Sequence, residues 1–308
     1  MNKIPLIVVA GATASGKTSL SIELAKRLDG EIISADSMQI YKNMDIGTAK
    51  PTESEKDGIV HHLMDFLEPT ESFSVADFCR MAHEAAADIH ARGKRIIVVG
   101  GTGLYIDSFA KDVDFDEEDT LPDLRRELEE CAKRDGAESL LAELREFDSV
   151  SAEKLHPNNL KRIIRAIEFY CIHGVPISEH QAKTKLKESR YRPLYMMIDH
   201  PRDVLRSRIA KRVDIMLSEG LIDEARTLFD IRQTLSKTAS QAIGYKELFG
   251  YFDGSMTLEE AADELKLRTA QYAKRQLTWF RRNTDMHLLS PDTALADAIG
   301  LCEDFLTP

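Results

Sequence analysis

The stretch "GATASGKT" (11–18) follows directly on the apolar run "IPLIVVA" (4–10). Gly11, four intervening residues and then Gly16-Lys17-Thr18 is the phosphate-loop spacing. It requires a strand that ends in a glycine turn and opens a helix. Glycines let backbone N–H groups turn toward an anion, the helix N-terminus adds partial positive charge, and Lys17 adds a full one. Gly11, Ala12, Thr13, Ala14, Ser15, Gly16, Lys17 and Thr18 are therefore the expected phosphate-binding residues. The Thr18 hydroxyl is the expected metal ligand, for Mg2+.

The pattern around the loop extends this reading. Residues 18–28 carry Leu20, Leu24, Ala25 and Leu28 at helical spacing,. "EIISAD" (31–36) reads as a second strand ending in Asp36, residues 76–93 as a helix closed by Gly93, and "RIIVVGGTG" (95–103) as a third strand ending in a glycine turn,. Strand alternating with helix predicts an α/β fold, a P-loop-type core with a parallel β-sheet flanked by helices. Ligands bind outside the carboxyl ends of such strands. Gly11–Thr18, Asp36 and Gly100–Thr102 all fall there, so three segments are expected to converge on one crevice.

After the acidic run "DVDFDEED" (112–119) the pattern changes. Residues 120–180 read as charged helices, "RPLYMMI" (192–198) as a strand again, and everything after 202 as helical. The expected organisation is a core of 1–112 and 188–308 interrupted by a mainly helical insertion domain, 113–187.

The net charge of −11 argues against blanket nucleic-acid binding, yet cations gather in "NLKRIIRA" (159–166), "KTKLKESRYR" (183–192), "RSRIAKR" (206–212) and "AKRQLTWFRR" (273–282),. In "LKRIIRAIEFY", Leu160, Ile163, Ile164 and Ile167 share one helical face and Lys161, Arg162 and Arg165 the other. That second face is either a strip for RNA phosphates or a solvated surface. Arg268, Arg275 and Arg282 repeat every seven residues, with Trp279 beside them and Ala270, Ala273, Leu277 and Phe280 opposite. Cys79, Cys131, Cys171 and Cys302 are too dispersed for a zinc site or disulfide framework and fit a reducing, cytoplasmic setting,. His61-His62 is not expected to be a metal pair, because adjacent side chains point apart. Apolar runs stop short of the roughly 18 residues that span a bilayer. No membrane span and no targeting segment are expected.

A phosphoryl-transfer site usually adds an acidic residue at the end of a later strand to hold its metal. "RIIVVGG" ends instead in glycine and Thr102. Asp36 is the carboxylate facing the crevice.

"GATASGKT", "ISADSMQIYKNMDIGTAKP", "HHLMDF", "VVGGTGLYI", "RIIRAIE", "RIAKRVDIML-EGL", "QAIGYKE" and "KRQLTWFRRN" together closely resemble the tRNA dimethylallyltransferase (tRNA isopentenyltransferase) family, from residue 6 to about 285. Without a zinc-finger Cys/His cluster, the chain resembles the bacterial type. The resemblance implies transfer of a dimethylallyl group from dimethylallyl diphosphate to N6 of the adenosine 3′ of the anticodon in tRNA. The loop would then hold the diphosphate of an isoprenoid. Asp36 matches the family's proposed general base. Thr102 is expected to hydrogen-bond near the leaving oxygen or the target base, or else within its own turn. Arg212, at the edge of the stripe Leu205, Ile209, Val213 and Met216 and one turn from Arg208, is expected to stabilise the leaving diphosphate with Lys17 and Mg2+. The family's tRNA-contacting segments fall on Asp36, Ser37, Met38, Gln39 and Thr102, on Lys161, Arg162, Ile163, Ile164 and Arg165, and on Gln241, Ala242, Ile243, Gly244, Tyr245 and Lys246. A monomer is expected. Two other readings of the loop are a small-molecule kinase with a helical lid and a nucleotide-gated RNA-binding protein.

Overall fold

The computed structural model describes residues 3–113, 115, 121–186 and 188–307. Most of the acidic run, 114 and 116–119, lies outside them, as does residue 187 in the basic stretch 183–192. The chain divides into two compact units, Met1–Asp112 with Arg190–Pro308, and Val113–Ser189.

The first unit begins β1 (Ile4–Ala10), α1 (Lys17–Leu28), β2 (Gly30–Ser34), α2 (Glu53–Lys56), β3 (His61–His62), α3 (Val75–Ala91), β4 (Arg95–Gly100) and α4 (Gly103–Ala110). The second unit holds α5 (Pro122–Asp135), α6 (Ala137–Phe147), α7 (Ser149–Lys154), α8 (Leu160–His173) and α9 (Ile177–Leu186). The first unit resumes with β5 (Tyr191–Ile198), α10 (Arg202–Ser218), α11 (Leu221–Asp230), α12 (Phe249–Phe252), α13 (Leu258–Phe280), β6 (Met286–Leu289) and α14 (Ala294–Leu306).

The sheet runs β3-β2-β4-β1-β5-β6, and each neighbouring pair is parallel. Leu6, Ile7, Val8 and Val9 of the central strand are each at most 1% exposed, so β1 is covered on both faces. Each such side chain contributes about 1.5–3 kcal/mol on burial. The period of two sorts them. Leu6, Val8 and Ala10 join the core formed with α3, α4, α10 and α13, whereas Ile7 and Val9 join the one formed with α1 and α14,.

Two long helices open on capping boxes. Ser74 Oγ accepts the Asp77 N–H at 3.1 Å while Asp77 accepts the Ser74 N–H at 3.0 Å. Thr257 and Glu260 make the same exchange at the start of α13,.

Two expectations need correction. The segment after 202 is not wholly helical, because β6 adds an edge strand in register with β5, pairing Tyr195 with Met286 and Ile198 with Leu289. "MHLL" is short and mostly exposed, so no alternation marks it. Strand β2 also ends at Ser34, which leaves Asp36 on the loop beyond. The ends of β2 and β4 are stitched together there. Ala35 N donates to Val99 O at 2.7 Å and Thr102 N to Ala35 O at 3.2 Å.

The helical unit packs around Leu128, Leu140, Leu144, Ile163, Ile164 and Ile167. Among the described residues no helix is long and apolar enough to cross a membrane.

Candidate active site

Protein contacts hold the phosphate loop in shape. Gly16, at φ +93°, sits in the left-handed region and caps the start of α1 at Lys17. Its neighbours hold the loop from outside. Arg208 Nε donates to Ala14 O at 2.8 Å and His200 Nε2 to Ser15 O at 2.9 Å. Gln276 Oε1 accepts the Thr13 N–H at 2.9 Å, and Gln276 Nε2 donates to Gly101 O at 3.0 Å. One buried amide thus ties the loop after β1 to the turn after β4. The Ser15 hydroxyl is buried with no hydrogen-bond partner among the described residues, a donor suited to an anion's oxygen.

Asp36 lines the same cleft as the loop, within reach of the Lys17 charge. Its Oδ1 accepts the Met38 N–H at 2.9 Å, which fixes the carboxylate and leaves Oδ2 for another partner. Gln39 Nε2 donates to Thr48 O and Ala49 O, both at 3.1 Å. These contacts shape the "DSMQ" segment and the "GTA" segment into one wall.

Thr13, Lys17, Thr18, Asp36 and Arg212 line a single cleft of about 210 Å³. It continues between Gly47–Ala49, the α10 residues Ile209, Val213 and Met216, the Gln241–Gly244 segment, and the α13 residues Leu265, Thr269, Tyr272 and Gln276. Its lining combines the cations Lys17 and Arg212, the carboxylate Asp36 and the apolar side chains Ile209, Val213, Met216, Ile243 and Leu265. Burial pulls the Lys17 ammonium down to about 8, offset by the Asp36 charge and reinforced by Arg212. Burial likewise lowers Arg212, and the Arg208 charge adds to it. An arginine stays charged regardless. Crowded cations with a solvation deficit make a strong receptor for a dianion.

The comparisons with known proteins bear on this arrangement. The family model "IPP transferase" matches residues 39–283. A tRNA dimethylallyltransferase of Lachnoclostridium phytofermentans is 47% identical, with 97% of this chain and 96% of that one aligned. That of Bacillus subtilis is also 47% identical, over 91% and 88%. The chain belongs to the tRNA dimethylallyltransferase family. Among solved structures, a Bacillus halodurans tRNA isopentenylpyrophosphate transferase superposes with a TM-score of 0.72 at 42% identity, covering 98% of both chains. A eukaryotic dimethylallyltransferase described as acting on tRNA gives a TM-score of 0.86 at 31% identity, over 98% of this chain and 79% of that one.

Not every residue expected from the family resemblance stands in the cleft. Thr102 stands beside Tyr272, a residue of the cleft wall. The Thr102 hydroxyl accepts the Ser37 N–H at 3.1 Å and donates to Ser37 Oγ at 3.3 Å, so it braces the "DSMQ" segment. Ile163 (0% exposed) and Ile164 (3%) belong to the core of the helical unit and cannot face RNA, whereas Lys161 and Arg162 are exposed. Arg165 reaches Glu168 at 3.6 Å. Gln241, Ile243 and Gly244 line the cleft, but Ala242 and Tyr245 are buried behind it, and Lys246 is half-buried outside the lining.

Trp279 leaves the arginine row. Its Nε1 donates to Asp107 at 3.1 Å. Arg268 pairs with Glu264, Arg275 lies over the Tyr272 ring, and Arg282 falls beyond the end of α13.

The α13 contribution to the cleft was missed in the sequence. A signal existed: Gln276 shares the apolar face of Ala273, Leu277 and Phe280, where a polar side chain must find partners.

Proposed function

We propose that the chain transfers the dimethylallyl group of dimethylallyl diphosphate to N6 of the adenosine 3′ of the anticodon in tRNA, releasing diphosphate. Prenyl transfer to tRNA follows from the family and its relatives. The finer assignment rests on one observation: Lys17 of the phosphate loop, Arg212 of α10, the carboxylate Asp36 and an apolar wall share one cleft.

The chemistry has three demands. The C1–O bond of the donor breaks, and its electron pair leaves with the diphosphate. The N6 lone pair, weakened by delocalisation into the ring, forms the new C–N bond. The N6 proton must go to a base. Lys17, Arg212 and the loop N–H groups stabilise the departing charge. Asp36, held by the Met38 N–H, accepts the N6 proton and aims the amine,. The apolar wall keeps water from the carbocation-like carbon. Thr102 holds Ser37 and so sets where Asp36 stands.

Mg2+ fits this site as a companion of the diphosphate. Thr18 lines the cleft beside Lys17. No group of three or more His, Cys, Asp or Glu is placed to hold a metal ion among the described residues. The ion would therefore be held by the Thr18 hydroxyl, diphosphate oxygens and water, as is usual for Mg2+. When bound, it supplies further positive charge to the leaving group.

The tRNA is met by Ser37, Met38, Gln39, Gln241, Ile243 and Gly244 at the cleft and by Lys161, Arg162 and Arg165 on the helical unit. In this reading the enzyme works as a monomer in the cytoplasm.

Thermal unfolding separates the donors. Dimethylallyl diphosphate with Mg2+ is expected to stabilise the protein by about 2.7 kcal/mol at a hundred times its Kd. Protection by ATP, with none from the isoprenoid, would return the loop to nucleotide chemistry.

A further inference from the structure

Glu224, in the first turns of α11, accepts three consecutive backbone N–H groups from another segment. Asp45 N, Ile46 N and Gly47 N each lie 2.9 Å from its carboxylate. The same carboxylate accepts the Tyr245 hydroxyl at 2.7 Å. Tyr245 is 1% exposed, and its ring fills the space behind Gly47. A Cβ on Gly47 would stand 2.5 Å from Tyr245 Cζ, so the wall can approach the ring only as glycine. Three N–H groups converging on one carboxylate form an anion nest. Here the nest serves to hold backbone in place.

What it holds is the cleft wall at Gly47. Helix α10 passes Ala14 with Arg208, reaches the Lys17 region with Arg212, and lines the cleft with Val213 and Met216. Met216 stands about one helical turn, ~5.4 Å, beyond Arg212. Gly47, Ile243, Gly244 and Leu265 line the same cleft. With diphosphate at Lys17 and Arg212, Met216 and the Gly47 wall are among the lining left to the donor's chain.

We infer that Glu224 and Tyr245 are positioning residues that fix this wall as the stop for the prenyl chain, and so select a five-carbon donor over a ten-carbon one. The inference rests on the proposed reaction. Without the Glu224 carboxylate, three N–H groups must turn toward water, and the wall moves out.

The test compares kcat/KM for dimethylallyl and geranyl diphosphate, with tRNA as acceptor, in the wild type, Glu224→Ala, Glu224→Gln and Tyr245→Phe. Inorganic diphosphate binding is measured alongside. The five-carbon preference should fall about tenfold in both Glu224 variants. It should fall less in Tyr245→Phe, which keeps the ring. Diphosphate affinity should stay within about twofold, since the loop is untouched. If Glu224→Ala does not fold, the near-isosteric Glu224→Gln and Tyr245→Phe carry the comparison. Equal slowing of both donors, or diphosphate affinity lost in step, would reduce Glu224 to general support and overturn the inference. A wild type that transfers neither donor would instead remove the proposed reaction, and this inference with it.

Discussion

The Thr102 hydroxyl accepts the Ser37 backbone N–H at 3.1 Å, so the turn after β4 fixes the residue next to Asp36. Thr102→Ala removes that acceptor and frees the "DSMQ" segment. We expect a fall in kcat of about tenfold or more with little change in donor affinity, because misplacement of a reacting group is costly. Thr102→Ser keeps the hydroxyl and should restore most of the rate. Steady-state kinetics of the two variants decide it, and an inert Thr102→Ala would remove the brace from the account.

Asp36 offers a clean substitution. Asn keeps an oxygen for the Met38 N–H, so the turn survives while the base is lost. Asp36→Asn should lower the single-turnover rate by about 10²-fold or more, the scale of a positioned base, and leave donor binding nearly intact. A rate within a few-fold of wild type would mean that another group takes the N6 proton.

Lys17 predicts a pH dependence. Burial holds its pKa at about 8 in the free enzyme, against 10.5 for an exposed lysine. Bound diphosphate favours the charged form and raises that pKa. Below about pH 8 the ammonium is already charged, and binding takes up no proton there. Above it, binding must protonate Lys17, so affinity falls up to tenfold per pH unit. Calorimetry in buffers of different ionisation enthalpy should show proton uptake only above about pH 8. The same shift acts on folding with the opposite sense. The unfolded chain binds the extra proton between about pH 8 and 10.5, so this group's contribution to stability rises with pH across that window,.

Gln276 is 5% exposed and makes two hydrogen bonds to backbone of different loops. Gln276→Ala leaves the Thr13 N–H and Gly101 carbonyl unmatched. The expected loss of stability is about 1–3 kcal/mol, accompanied by a raised KM for the donor. Denaturant melts and donor kinetics test both halves. An unchanged KM would show that the phosphate loop keeps its shape unaided.

How far the sequence could be read follows from the range of each signal. Strand β1, the loop and α1 are adjacent in the chain and carry their own pattern, so Lys17 and Thr18 could be placed from eighteen residues. Helix α10 was legible in the same way, since Leu205, Ile209 and Val213 are its buried stripe and Arg212 does stand at the edge, in the cleft. The β6 strand was not legible, because a four-residue exposed edge has no periodicity to show. Neither was the exchange of roles around Tyr245. Its hydroxyl goes to Glu224, and its ring stands behind Gly47, far away in sequence. Contacts of that kind depend on packing between distant segments. Ile163 and Ile164 show the reverse case: their helical phase already put them on the core face, which the family's linear tRNA-contacting segment could not express,.

The central claim is most directly met by a transfer assay. The protein is incubated with Mg2+, radiolabelled dimethylallyl diphosphate and unmodified tRNA bearing adenosine 3′ of the anticodon, and label is followed into RNA. The account predicts label in that one nucleoside and none when it is replaced by guanosine. No label in the tRNA, with phosphate moving from ATP to a small molecule instead, would contradict it.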